Sequence, residues 1–128
     1  MLLVLLYVGE EFVLPALFYG PGAASEATAI SMLRNIVTSQ ITYQATVGQG
    51  SFAPDLAALS AQKLIDRVLG SGTRDGYVFT LSGYDSTFTA TAAPQVPGET
   101  GNRYFFADES GVLRYRTTGL PTASFNPL

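Results

Sequence analysis

The sequence predicts an α+β domain in which one long helix lies across a four-stranded antiparallel sheet, behind an apolar N-terminal stretch. Three observations carry that prediction. Apolar residues recur at helical spacing over 25–47; apolar and polar residues alternate in short runs between 77 and 116; and the helical and strand patterns follow one another instead of interleaving. Four short strands cannot bury both faces alone, and a helix laid on one face is the simplest cover.

The chain is organised around residues 1–47. It opens MLLVLLYV, breaks at Gly9-Glu10-Glu11, resumes as FVLPALFY and breaks again at Gly20-Pro21-Gly22. Together the two apolar runs reach about 20 residues, the length that spans a bilayer as a helix. Glu10 and Glu11 interrupt that span, and each carboxylate, if ionised at the bilayer centre, would cost roughly 2–3 kcal/mol. Gly9 and Pro15 weaken an ideal spanning helix further. Three readings of the stretch stand side by side. It stays in the mature protein and packs against other copies in a filament core or against lipid. It is a leader, with Pro21-Gly22-Ala23-Ala24 as the cleavage region, although the first basic residue is Arg34 and a leader wants a positive start. Or it is a buried strand or helix of an ordinary core. The first divides the chain into a stem, 1–24, and a globular head, 25–128, that includes the helix 25–47.

Ser25 is the expected N-cap of that helix, and Glu26 sits in its first turn, where the helix dipole favours a negative charge. Ala27, Ile30, Leu33, Val37, Ile41 and Gln44 form the apolar stripe, widened by Met32, Ile36 and Tyr43. Arg34, Asn35, Thr38 and Ser39 supply the polar side, and Gly48 and Gly50 end the helix. Residues 49–76 are mostly connection, with a helical turn or two at 54–59, Pro54 in first position, and another at 64–69. The turn cluster Ser71-Gly72-Thr73-Arg74-Asp75-Gly76 lacks phosphate-loop spacing.

Expected strands are 77–81, 86–92, 103–107 and 112–116. Tyr77, Phe79 and Leu81 share one face by alternation, as do Phe88, Ala90 and Ala92 opposite Thr87, Thr89 and Thr91. Ser82-Gly83-Tyr84-Asp85 is the expected first turn and Asp108-Glu109-Ser110-Gly111 the second.

Composition narrows function. The 128 residues are 47% hydrophobic and only 13% charged, with net charge −3. So low a charge content suits life inside an assembly, and the few cations form no basic patch for nucleic acid. There is no Cys and no His, which excludes disulfides, thiolate metal sites and Ser-His-Asp or Cys-His triads. Asp55, Asp66, Asp75, Asp85, Glu99, Asp108 and Glu109 read as solvated turn residues; the rival readings are a glycosidase-like pair or a Ca²⁺ site at Asp75, Asp85 and Asp108-Glu109 without EF-hand spacing. Tyr77, Phe79, Tyr84, Phe88, Tyr104, Phe105, Phe106 and Tyr115 read as core, the alternative being a sugar-binding or electron-carrying surface. No cofactor and no metal are expected.

The residues also carry a resemblance. Ser-Glu-Ala-Thr-Ala-Ile at 25–30, with Leu33-Arg34 and Tyr43, resembles the helix after the membrane segment of bacterial type IV pilins and pseudopilins. Leu64-Ile65-Asp66, Ser71-Gly72-Thr73 and Gly76-Tyr77-Val78-Phe79-Thr80 resemble that family's entry into its sheet. Arg103-Tyr104-Phe105-Phe106, Asp108 and Ser110-Gly111-Val112-Leu113-Arg114-Tyr115 resemble its closing hairpin, and the tail from Pro121-Thr122-Ala123-Ser124 to Pro127-Leu128 is similar too. The likeness covers residues 25–128. The family's Gly-Phe-x-x-x-Glu processing site is absent. Pro15 stands where a helix-softening proline would be expected, a register that places Met1 inside the usual mature start, as in a truncated or divergent relative.

The resemblance implies a pilin-like fold with a long N-terminal helix, and a subunit without chemistry of its own. Such subunits wait in the cytoplasmic membrane. Pilus or secretion machinery then draws them into a helical homopolymer at the cell surface. Leu2, Leu3, Leu5, Leu6, Phe12, Val13, Leu14, Leu17 and Phe18 would form the filament-core interface, with Glu10 or Glu11 as a possible buried charge. Motility, adhesion, DNA uptake, secretion and surface display all use this architecture. The alternative is a small membrane-anchored or soluble binding module with an aromatic-rich sheet.

Overall fold

The computed structural model describes residues 6–8, 11–13, 22–117 and 126–127, and the structural statements below concern those residues. Strands β1 (Leu6–Val8) and β2 (Glu11–Val13) pair antiparallel, Leu6 opposite Val13, Tyr7 opposite Phe12 and Val8 opposite Glu11. Helix α1 is Ala23–Ala45, and the short helices α2 (Leu56–Ala61) and α3 (Arg67–Gly70) follow. The main sheet has six strands in chain order, β3 (Thr73–Arg74), β4 (Tyr77–Tyr84), β5 (Thr87–Pro94), β6 (Tyr104–Asp108), β7 (Arg114–Arg116) and β8 (Asn126–Pro127), each antiparallel to the next.

Two expectations are corrected here. The pilin-like long N-terminal helix is not the architecture: the long helix is confined to Ala23–Ala45, and the described part of the apolar stretch is paired strands. In the sequence Gly9 and the neighbouring carboxylates break the helical pattern, and Tyr7-Val8 and Phe12-Val13 are pairs of β-favouring residues. The sheet is six-stranded instead of four-stranded. Its outer strands β3 and β8 have two residues each, too few to show alternation in a sequence.

Helix α1 starts earlier than Ser25. Gly22 is the N-cap, in the left-handed region at φ 83°, with no side-chain cap. The amide of Glu26 donates to the Gly22 carbonyl at 2.9 Å. A Cβ at Gly22 would stand 2.4 Å from the Gly101 nitrogen, so the chain corner admits only glycine. The helix start is therefore set by a tertiary approach. Its end is local: Gly48 and Gly50 amides donate back to the Tyr43 and Gln44 carbonyls, both at 2.8 Å.

The core lies between α1 and one face of the sheet. Leu33, Ile36 and Val37 meet Tyr77, Phe79, Leu81, Phe88, Ala90, Ala92, Phe105 and Ala107 there, with Leu59, Leu69 and Phe52 closing the side. Alternation along β4 and β5 leaves Thr80, Ser82, Thr87 and Thr89 exposed on the opposite face. The apolar stripe of α1 is rotated from the expected one. Ala27 is exposed and Ile41 is 57% exposed, while Ser39 and Gln40 are buried. The cause is the segment after α1, which packs on that flank and brings backbone polar groups with it. Ser39 donates its hydroxyl to the Leu64 carbonyl at 3.0 Å. Gln40 donates its side-chain amide to the Ala53 carbonyl at 2.9 Å and accepts the Ala53 amide at 2.8 Å.

The same segment runs beside β4, where the Gly83 amide donates to the Pro54 carbonyl and the Phe52 amide to the Asp85 carbonyl. Gly83, expected in a turn, is inside the strand opposite Phe88, and the Ala53 backbone passes so close that a Cβ there would lie 2.0 Å from its oxygen, which only glycine allows. The turn itself is Asp85-Ser86, with Asp85 at φ 55°.

Tyr77 is fully buried and donates its hydroxyl to the Arg103 carbonyl at 2.7 Å. Burial, with the Glu26 carboxylate nearby, pushes its phenol well above the ordinary value. The folded group stays protonated while the unfolded one ionises near pH 10, so the contribution is whole below pH 10 and falls as pH rises beyond it. Alkaline titration of stability should show a loss of about 1.4 kcal/mol per pH unit from this group above pH 10, and Tyr77→Phe should remove that component of the slope. A slope unchanged in the variant would contradict the assignment.

Candidate functional site

Two features outside the core stand out. The first is a shallow, open groove of about 450 Å³ between α1 and the α2–α3 connection, lined by Asn35, Lys63, Leu64, Ile65, Asp66 and Arg67 among others. Its shape follows from two local motifs. Asp55 caps α2 by accepting the Ala58 amide at 2.9 Å, and Asp66 caps α3 by accepting the Leu69 amide at 2.7 Å. Asp55 takes the cap role, so Pro54 precedes the helix instead of opening it. At the other end of α2 the Lys63 amide donates to the Ser60 carbonyl at 2.9 Å and the Leu64 amide to the Leu59 carbonyl at 3.0 Å. That is a Schellman closure, with Lys63 at φ 60° in the position glycine usually takes.

Lys63→Gly should therefore stabilise the fold by about 0.5–1 kcal/mol, because the left-handed penalty on a Cβ exceeds glycine's extra unfolded-state entropy. Chemical denaturation would read it; a destabilisation would mean that the lysine stem contributes packing that outweighs the strain.

Asp66 is also ion-paired to Arg74, which reaches Asp75 at 3.2 Å. The Leu69 amide and the Arg74 guanidinium together hold the Asp66 carboxyl below the usual carboxylate value. That leaves Lys63 and Arg67 without an ion-pair partner among the described residues. Ammonium, guanidinium and the Asn35 amide beside an apolar strip can receive a carboxylate and a ring.

The second feature is the tip of the β4–β5 hairpin. Tyr84 is 83% exposed there, next to Asp85. Glu109 is tied to the same end because its carboxylate accepts the Phe88 amide at 3.0 Å. Asp108 takes the Ser110 amide at 2.9 Å in the neighbouring turn. Asp85 and Glu109 stand in turns, as expected of solvated turn residues, whereas Asp108 is the half-buried last residue of β6. Asp75, paired with Arg74 next to the α3 cap, belongs to a different hydrogen-bonded group from Asp85, and the described residues hold no cluster of three candidate metal ligands.

Of the residues assigned to a filament core, Leu6 lies in β1 and Phe12 and Val13 in β2, as does Glu11. Leu2, Leu3, Leu5, Leu14, Leu17 and Phe18, with Pro15 and Glu10, lie outside the described residues. No described helix is long and apolar enough to cross a membrane. Of the expected aromatics, Tyr77, Phe79, Phe88 and Phe105 are core and Tyr115 packs against it; Tyr84 is exposed, Tyr104 is half-buried outside the cluster, and Phe106 is buried on the sheet face away from α1, opposite Thr91 and Arg114. The sequence reasoning missed the groove: Asn35 is 28 residues from Lys63 in the chain, and Lys63 and Arg67 look like solvated charges. The detectable signal was Asp66 three residues before Leu69, an N-cap spacing that predicts a turn at that point.

In comparison with known proteins, no family model, no curated protein and no solved structure matches the chain.

Proposed function

We propose that this chain is a structural subunit that polymerises, with the apolar stretch that precedes α1 as the assembly segment and the helix-on-sheet domain as the displayed head. The observation that supports this is the helix-on-sheet core inside the head: among the described residues, Leu33, Ile36 and Val37 of α1 share one buried cluster with Phe79, Phe88 and Phe105 of the sheet. An apolar run as long as residues 2–18 needs an ordered destination, since an exposed patch that size aggregates indiscriminately. The resemblance of residues 25–128 to type IV pilins and pseudopilins supports the same reading. It carries with it a cell-surface filament, a membrane-held precursor and an assembly machine as partners.

Electron microscopy of the full chain should show long fibres of uniform width. Deleting residues 1–21 should leave a folded, soluble, monomeric head. Leu5→Asp or Leu14→Asp should abolish fibres and leave the head intact, because an unpaired charge in a dry interface costs several kcal/mol. A head that unfolds on deletion, or fibres that persist without the segment, would sink the reading. The groove favours a second reading, a small binding module, which would give monomers or closed rings in the same micrographs.

A further inference from the structure

We infer that the β4–β5 hairpin tip of one copy, Tyr84 with Asp85, docks into the Lys63/Arg67 groove of a second copy. The inference rests on the self-assembly reading and names the contact between heads. Tyr84 has the highest exposure of the exposed large apolar side chains. It is presented rigidly: the Asp85 carbonyl accepts the Phe52 amide at 2.9 Å, the Gly83 amide donates to the Pro54 carbonyl at 3.2 Å, and the Thr87 hydroxyl donates to the Tyr84 carbonyl at 3.1 Å. A backbone fixed that way adds little ordering cost on docking, and the cost left is that of the Tyr84 side chain.

Charge complementarity selects the partner. The tip carries Asp85, with Glu109 and Asp108 beside it, and none of the three has an ion-pair partner among the described residues. The groove carries Lys63 and Arg67 in the same condition, while its own carboxylate, Asp66, is already neutralised by Arg74. The half-buried Leu64 side chain offers the ring an apolar contact, and about 450 Å³ is ample for one phenol. Knob and groove are different patches of one chain. Their contact is heterologous, so each copy offers a free knob and a free groove after docking, and the series stays open. Exposed charges of this kind set register and orientation more than affinity.

The chain contains no cysteine, so engineered thiols report without background. Ser86→Cys places a thiol at the tip and Ser60→Cys one in the groove wall. The full-length double variant, treated with a short bismaleimide, should give a ladder of dimers, trimers and longer species; either single variant stops at dimers. Adding Lys63→Glu and Arg67→Glu should cut the yield beyond dimer by about tenfold, since attraction becomes repulsion, and adding Asp85→Lys to that background should restore it. A ladder that ignores the charge reversal, or no species beyond dimer, overturns the inference. Fibres without a ladder overturn the contact and leave the filament reading standing. A ladder without fibres upholds the contact and overturns the filament reading.

Discussion

Gln40→Ala is expected to lower the stability of the fold by about 3–4 kcal/mol, roughly 12 °C in Tm for a domain this size. Gln40 is fully buried, and its side-chain amide makes a reciprocal pair of hydrogen bonds with the backbone of Ala53. Those bonds fasten α1 to the segment that covers β4, because Ala53 also sits against Gly83. Each bond is worth about 1 kcal/mol net, but truncation also strands the Ala53 amide and carbonyl in a dry place, at about 1–3 kcal/mol per group. The lost side-chain volume adds a cavity. Gln40→Met separates these contributions: it fills the space and still leaves both groups unpaired, so it should cost about 2–3 kcal/mol. Urea denaturation at unchanged slope would measure both. A loss below 1 kcal/mol in Gln40→Ala would mean that water reaches Ala53 and the clamp is not what holds the segment.

At the other end of α1, Glu26→Ala is expected to cost about 3 kcal/mol. One carboxylate oxygen accepts the Asn102 amide at 2.5 Å and the Arg103 amide at 2.9 Å, and the other accepts the Arg103 guanidinium at 3.3 Å. The pair is shielded, with the Glu26 side chain only 13% exposed. Arg103 stays in place regardless, its guanidinium lying 5.2 Å from the ring centroids of both Phe105 and Tyr115. Alanine therefore leaves a held cation and two amides without their acceptor. Glu26→Gln keeps one oxygen for the two amides and turns its NH₂ toward the guanidinium, so it should cost about half as much. Hydrogen exchange at Asn102 and Arg103 should accelerate in the alanine variant and change far less in the glutamine variant. Equal acceleration in both would assign the effect to the charge and not to the backbone clamp.

These two clamps show where sequence and structure part. Strict alternation placed Tyr77, Phe79, Leu81, Phe88, Ala90 and Ala92 on one face, and all six are buried there. It works because the pleat period is local and one face of β4 and β5 remains wet. The helix body was legible for the same reason: its period is a property of neighbouring residues. Its register in the core was not. Gln40 and Ser39 are polar residues that belong inside because residues 52–65 fold back and present backbone groups to them, and Ile41 is outside because no described segment covers that flank.

The groove was illegible on the same grounds, since Asn35, Lys63 and Arg67 are brought together by the Schellman turn at Lys63 and the cap at Asp66. By itself the sequence determined the order of helix and meander, the buried face of the central strands and the lack of histidine or cysteine chemistry. Only the tertiary structure decided where α1 begins, which side of it is dry, that described pieces of the apolar stretch pair as strands, and that the sheet extends to six. Periodicity is written between near neighbours in the chain, whereas starts, edges and buried polar groups are settled by whichever distant backbone arrives beside them.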